Sequence, residues 1–373
     1  MRQGRFNFIL VPLAAGLLAL VVGAVMLLAL GTNPLNAYGA MLQGAFGSPN
    51  AVADTLVKAT PLLFVGVGIC IAYRGGMINI GGEGQFVCGA LGAVIVGLNF
   101  PNWPSWLLIP AALGAGFVGG GLWGALAGAL KTRFRVNEVL STVMLNSIAT
   151  QAMNFLLRGP LIDPTELDKS IRIPQTQRLS LAADLPRLVP TRLHLGVAIG
   201  IVIAILVYVF LWRTTIGYRI RAVGLNAVAS RYAGINVSQY QILAIALSGA
   251  LAGMGGAVEI LGVSHRLFTD GSATGFTGNA GFNGIVAALF GGLHPVGTIL
   301  AAFLFGALLV GANALQRTAQ VPSAFVTTLD GLVVVFVVAS QIWSRRAAPV
   351  PAMPGRAGPA RVAPTPATQD NAT

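Results

Sequence analysis

Charge is scarce in this sequence. Only 9% of its 373 residues are Asp, Glu, Lys or Arg, against roughly a quarter in soluble domains, and so little polar surface excludes an ordinary water-soluble fold. The two cysteines, Cys70 and Cys88, lie in apolar stretches, which excludes a disulfide framework and a thiolate metal cluster. The three histidines, His194, His265 and His294, stand apart, so there is no paired metal-ligand spacing. Lysine occurs only at Lys58, Lys131 and Lys169, and none follows the glycine spacing of a phosphate-binding loop. The chain is therefore expected not to be an enzyme, to carry no cofactor or metal, and to leave any ATP hydrolysis to another subunit. Basic residues outnumber acidic ones by 23 to 11, giving a net charge of +12. Most fall between apolar runs, where they set membrane topology rather than bind nucleic acid.

Apolar residues are abundant: 55% of the chain is hydrophobic and the mean hydropathy is +0.77. Several runs reach about 20 residues, enough to cross a hydrocarbon core about 30 Å thick at 1.5 Å per residue. The pattern predicts an all-α integral membrane protein with about ten transmembrane helices. They fall near 8–30, 54–73, 84–98, 106–130, 139–157, 194–212, 240–262, 281–294, 296–316 and 321–343. The first run, after Arg2 and Arg5, is too long for a signal-peptide core and reads as a retained helix. With a cytoplasmic N-terminus, ten crossings place 14 of the 23 basic residues inside and return the C-terminus to the cytoplasm. Six others sit in the outer loop 158–193, whose five prolines forbid one continuous helix and suggest a cap or a mobile connection. Residues 1–346 form the transmembrane domain, and the Pro- and Ala-rich tail 347–373 is expected to be a disordered cytoplasmic extension.

The two shortest spans open on related sequences. Asn79-Ile80-Gly81-Gly82-Glu83-Gly84-Gln85 and Asn279-Ala280-Gly281-Phe282-Asn283-Gly284-Ile285 share Asn, Gly, a polar residue and Gly in register. If each half holds five spans, the odd number turns the second half over, giving two inverted five-helix repeats. Short broken helices near 84–98 and 281–294 would then mark the transport pathway, because irregular backbone at membrane depth must face protein or a water-filled cavity.

Charges within spans are costly, which singles out Glu83, Glu259 and Asp330. Glu83, in a first helical turn, suits either a cap or a substrate contact. Glu259 fits the solvent-facing end of its span, and Asp330 an internal hydrogen bond near Asn146. Asp54 and Lys58 have the i,i+4 spacing of an ion pair. Asn79, Gln85, Asn146, Gln151, Asn154, Asn279 and Asn283 offer uncharged donors and acceptors. Each suits helix packing, and together they suggest a polar passage for a neutral solute. On the cytoplasmic side, small residues between Asn226 and Tyr232, bounded by Gly224 and Gly234, predict a short helix able to lie in a groove on a partner.

Three ordered runs carry a resemblance: Arg74 through Gln85, Asn137 through Asn146, and Gly224 through Ile235. Over residues 50–340 the chain resembles permeases of ABC importers of the ribose and branched-chain amino-acid type. Gly81 through Gln85 and the Asn137–Asn146 run are most similar to the nucleoside branch, whose binding component is a surface lipoprotein. Ser147 stands where an aromatic is common and Gly82 where alanine is frequent, and the wider family also serves simple sugars. The resemblance implies a bacterial inner-membrane assembly of two permease subunits, identical or homologous, with two ATPase subunits and an external binding lipoprotein. Its implied substrate is a nucleoside or another small polar solute, with Asn79, Glu83, Gln85, Asn146, Asn279 and Asn283 as pathway candidates. Segment 224–235 would be the coupling helix, with Gly224, Asn226, Ala229, Arg231, Tyr232 and Gly234 at the ATPase contact. The rival from another class is an ion-coupled secondary transporter using Glu83 or Asp330 as its cation site.

Overall fold

The computed structural model describes residues 17–18, 20–272 and 274–319, together with positions 325, 328, 331, 332, 335 and 336. Among the described residues every regular element is helical, apart from two isolated bridges that join Gln175 to Phe268 and Arg187 to His194. Helices α1 (Leu20–Ala29) and α2 (Pro34–Phe46) meet at a bend of 120°. Then come α3 (Pro49–Arg74), α4 (Gly82–Asn99), α5 (Ser105–Phe134) and α6 (Glu138–Arg158). A long segment holding the single turn α7 (Pro164–Leu167) leads to α8 (Gly196–Arg213), and α9 (Thr215–Leu225) and α10 (Ala227–Tyr232) follow. The last group is α11 (Val237–Glu259), the short turn α12 (Thr274–Thr277), α13 (Ala280–Phe290) and α14 (Pro295–Ala319).

Five of these helices are long and apolar enough to cross a membrane: α3, α5, α8, α11 with its π-helical extension to Ser264, and α14. The bent pair α1–α2 makes a sixth if it counts as one span. The second to ninth expected spans each coincide with a helix, while α2 was not anticipated. It starts where Pro34 fits the first helical position and the Asn33 side chain accepts the Leu35 N–H at 2.9 Å. Residues 1–16, most of the tenth expected span, Asp330 and the tail 347–373 lie outside the described residues.

The expectation of two short broken helices needs correction. Helix α4 is an unbroken run of 18 residues, about 27 Å long, because neighbouring backbones pack against its glycines instead of water entering there. Helix α13 has 11 residues and stops at Phe290 rather than 294, so at about 16 Å it spans only half a hydrocarbon core. It ends where Gly292 and Leu293 adopt left-handed backbone, with φ of 68° and 55°, and reverse the chain into α14.

Helix α3 is the axis of the molecule. Its apolar window is 89% buried, against 28% for α5 and 33% for α8, so α3 is hydrophobic all round because protein surrounds it, whereas α5 and α8 keep faces for lipid. Helices α11, α14 and α13 pack directly on α3, and α4, α5 and α11 approach one another until their backbones touch. A methyl group on Gly253 would strike the Gly116 carbonyl oxygen and come within 2.8 Å of Gly120 Cα. Such small-residue seams stand in for the hydrophobic effect, which lipid cannot supply between helices. Gly253→Val is therefore expected to destabilise the bundle by about 3 kcal/mol or more, the upper range for overpacking. Its melting temperature in detergent should fall well below wild type, and an unchanged value would refute the close-packed seam.

Segment 159–195 forms an ordered cap rather than a mobile connection. Backbone bonds tie it to the chain leaving α11: Thr176 N–H to Leu267 O at 2.8 Å, Leu179 N–H to His265 O at 2.9 Å and Leu185 N–H to Leu261 O at 2.8 Å. Glu166 is buried there and accepts from Lys169 Nζ, Gln175 Nε2 and the Ile173 N–H, an arrangement led by the Lys169 bond that holds its carboxyl below the usual range. His194, buried at the foot of the cap, accepts the Gly196 N–H, and burial pushes its pKa down to about 4.

Candidate translocation and coupling site

The loop between α3 and α4 runs through Gly75 to Gly81 and is wholly stitched to its surroundings. Asn79 is fully buried; its Nδ2 donates to Gln85 Oε1 and to Ser248 Oγ on α11, both at 2.9 Å. Its Oδ1 accepts from the Gly81 N–H at 2.9 Å and from Gln85 Nε2 at 3.1 Å. Asn146, on α6, accepts the Gly84 N–H at 2.8 Å and donates to Ile80 O at 2.9 Å. The N-terminal N–H groups of a helix need such partners, since no preceding turn supplies carbonyls. Asn79, Gln85 and Asn146 thus spend their hydrogen-bonding capacity holding the start of α4 between α6 and α11.

Glu83 caps a helix other than its own. Its Oε1 accepts the Gly281 N–H at 2.8 Å and the Phe282 N–H at 3.3 Å, at the start of α13, and the Thr277 hydroxyl bonds the same carboxyl group. A buried carboxylate at the positive end of a helix dipole is the arrangement that makes such a charge tolerable. The two related sequence runs therefore meet. A methyl on Gly82 would lie 3.2 Å from Gly281 Cα, and one on Gly281 would collide with the Glu83 N–H. In contrast, Asn279 is exposed and Asn283 half-buried, and neither side chain has a hydrogen-bond partner among the described residues. Of the six pathway candidates, four are consumed by structure, and only Asn279 and Asn283, one turn apart, present free amides.

Near the C-terminal end of α6, Asn154 donates to Gln151 Oε1 and to Gly271 O, both at 3.1 Å, and accepts from the Thr269 hydroxyl at 2.7 Å. Beside them opens a cavity of about 510 Å³, which Phe155 and Arg158 also line. Glu259 is half-buried at the last turn of α11, in the field of Lys58. The expected Asp54–Lys58 ion pair is absent among the described residues.

On the opposite side, Asn226 caps α10 through a bond from the Ala229 N–H at 3.0 Å. Gly234, at φ 77°, closes the helix, with the Ile235 N–H reaching back to Ser230 O at 3.0 Å. Leu225, Val228 and Tyr232 are 87%, 65% and 90% exposed. Val228 and Tyr232, four residues apart, share one face of α10, and Leu225 precedes it at the end of α9, an apolar signal that a reading based on small residues passed over. Gly224, at the end of α9, instead backs onto the Arg74 carbonyl and the Gly76 nitrogen, which leave no room for a side chain there. Arg74 and Arg221 both stack on Trp212, at 5.3 and 5.6 Å, and Arg74 Nη2 donates to Leu293 O at 3.3 Å, in the turn after α13. The short helix α13 is thus held at one end by Glu83 and at the other by Arg74. Both residues flank the loop that Gly224 touches.

Residues 51–338 match the family model described as the branched-chain amino acid transport system / permease component. The chain is similar to a guanosine ABC transporter permease protein of Bacillus subtilis, 37% identical over 90% of this chain and 94% of that one. It is also similar to a glucose ABC transporter permease protein of Haloferax volcanii, 32% identical over 90% and 88%. A third relative, a nucleoside ABC transporter permease protein of Lactococcus lactis, is 31% identical over 88% and 90%.

Proposed function

Since this chain belongs to the permease-component family of branched-chain amino acid transport systems, we propose that it is the membrane-spanning subunit of an ATP-driven importer of nucleosides or related small polar solutes. The observation that carries this reading is the exposed apolar face of α10, joined through Gly224 to the loop that begins α4. In this reading α10 seats in an ATPase subunit, a second permease subunit completes the passage, and an external binding lipoprotein delivers solute to the outer mouth. Both termini are cytoplasmic, in a bacterial inner membrane. The ten spans form two inverted five-helix repeats, supported by the meeting of the two related runs at Gly82 and Gly281. Asn279 and Asn283 offer neutral amides to a solute whose own donors and acceptors are uncharged.

Differential affinity of the ATPase pair for the two permease conformations, changed by ATP, shifts the population between outward- and inward-open forms. The nucleoside reading rests on the guanosine and nucleoside relatives, and the glucose relative supports a second reading, a simple-sugar cargo. The test is uptake into vesicles holding the full complex, loaded with ATP, with proton and sodium gradients collapsed. Labelled guanosine should accumulate at the undiminished rate. Uptake that stops with the gradients would establish the secondary-transport alternative, and accumulation of glucose but not guanosine would establish the sugar reading.

A further inference from the structure

A cavity of about 690 Å³ lies at the outer end of the bundle between α2, α3, α14 and the tip of the cap, and the translocation reading makes no use of it. Four cations line it, Lys58, Arg187, Arg192 and Arg317, and among the described residues none of them is in an ion pair. The only lining carboxylate is Asp54; Glu259 acts on Lys58 from behind. His265, at the rim, is already held 2.7 Å from Asp184. Unpaired cations gathered in one concavity repel one another and destabilise the fold unless an anion joins them.

Two further features point to what that anion is. The first turn of α3, Ser48 to Ala51, opens on the cavity and turns the positive end of a 26-residue helix toward it, as phosphate sites do. The two cap arginines are exposed, but the backbone that carries them is fixed. They belong to a hairpin closed by the Arg187–His194 bridge and by the Leu188 N–H to Leu193 O bond at 2.9 Å. The rest of the wall is apolar, with Val57, Val263, Val310 and Ala314, and next to it α2 exposes Leu42 and Phe46. A polar anion would have no use for that surface, whereas acyl chains would.

We propose that this cavity binds the phosphate of an anionic phospholipid of the outer leaflet, with the headgroup among the four cations and the acyl chains along α2. Bound lipid would brace the cap against the outer ends of α2, α3 and α14. Arginine suits the role because its planar fork pairs two phosphate oxygens at once.

The test uses the full chain in nanodiscs of phosphatidylcholine alone or of an equal mixture with phosphatidylglycerol. Native mass spectrometry after mild delipidation reads retained lipid, and thermal unfolding reads its effect. Wild type should retain one phosphatidylglycerol per chain and melt higher in the mixture. Arg192→Gln and Arg317→Gln should each retain it about tenfold less, the factor for one lost charge-assisted bond, and lose the gain in melting temperature. Arg172→Gln, an outer-loop arginine away from the cavity, should behave as wild type. Equal retention by the cavity variants and wild type would overturn the site. A full thermal gain from inorganic phosphate in phosphatidylcholine discs would overturn the lipid as the source and leave a free-anion site.

Discussion

Gly224→Val is expected to reduce ATP-driven uptake by about 10- to 100-fold, the range that a coupling free energy of ~1–3 kcal/mol spans, while the protein still inserts and folds. A Cβ at this position would collide with the Arg74 carbonyl oxygen and lie 2.8 Å from both the Arg74 carbonyl carbon and the Gly76 nitrogen. All three are backbone atoms, so no side-chain rotation relieves the clash. The α9–α10 unit has to move away from the loop that holds Asn79 and leads into Glu83, and movement of α10 is then no longer passed to α13. The informative contrast is with the exposed face of the next helix, α10. Val228→Asp and Tyr232→Ala should leave thermal stability unchanged, because both side chains are exposed, yet should weaken co-purification with the ATPase subunits. Gly224→Val should retain the ATPase and lose transport. Wild-type uptake in Gly224→Val would refute this mechanical link.

Glu83→Ala should be the most damaging single change at the site. It strips the cap from α13 and leaves the buried Gly281 N–H and the partly buried Phe282 N–H without an acceptor. One unsatisfied buried donor costs about 1–3 kcal/mol, and loss of a cap is worth about 1 kcal/mol. Glu83→Gln keeps an acceptor oxygen of similar reach, so it should preserve most of the melting temperature and a substantial part of uptake. The Ala variant should lose both. If Gln folds as well as wild type but transports no better than Ala, the carboxylate's charge is itself required. Glu83 would then be a cation site rather than a helix cap.

The sequence was most legible where a single physical variable decides the outcome. Hydropathy located α3 to α6, α8, α11, α13 and α14 because a long apolar run has one low-energy environment. The helix at 227–232 was visible from its own ends, since Asn226 and Gly234 act within a few residues of themselves. Glu83 was different. A first-turn carboxylate has a local explanation in its own helix, yet its partners are nearly 200 residues away at Gly281 and Phe282. No period or spacing encodes that pairing. The Asp54–Lys58 spacing misled in the converse way: i,i+4 geometry permits an ion pair, but Lys58 lines the outer cavity instead.

By itself, then, the sequence determined the solvent in which this chain folds, the positions of its apolar helices and the place of the short helix α10, because hydropathy, capping and turn chemistry act over one to five turns. Only the tertiary structure decided which polar groups are spent and which are free. That depends on where glycines let distant backbones touch. Contacts such as Gly82 with Gly281, Gly224 with Arg74 and Gly116 with Gly253 turn four of six amide and carboxylate candidates into internal scaffolding and leave Asn279 and Asn283 open.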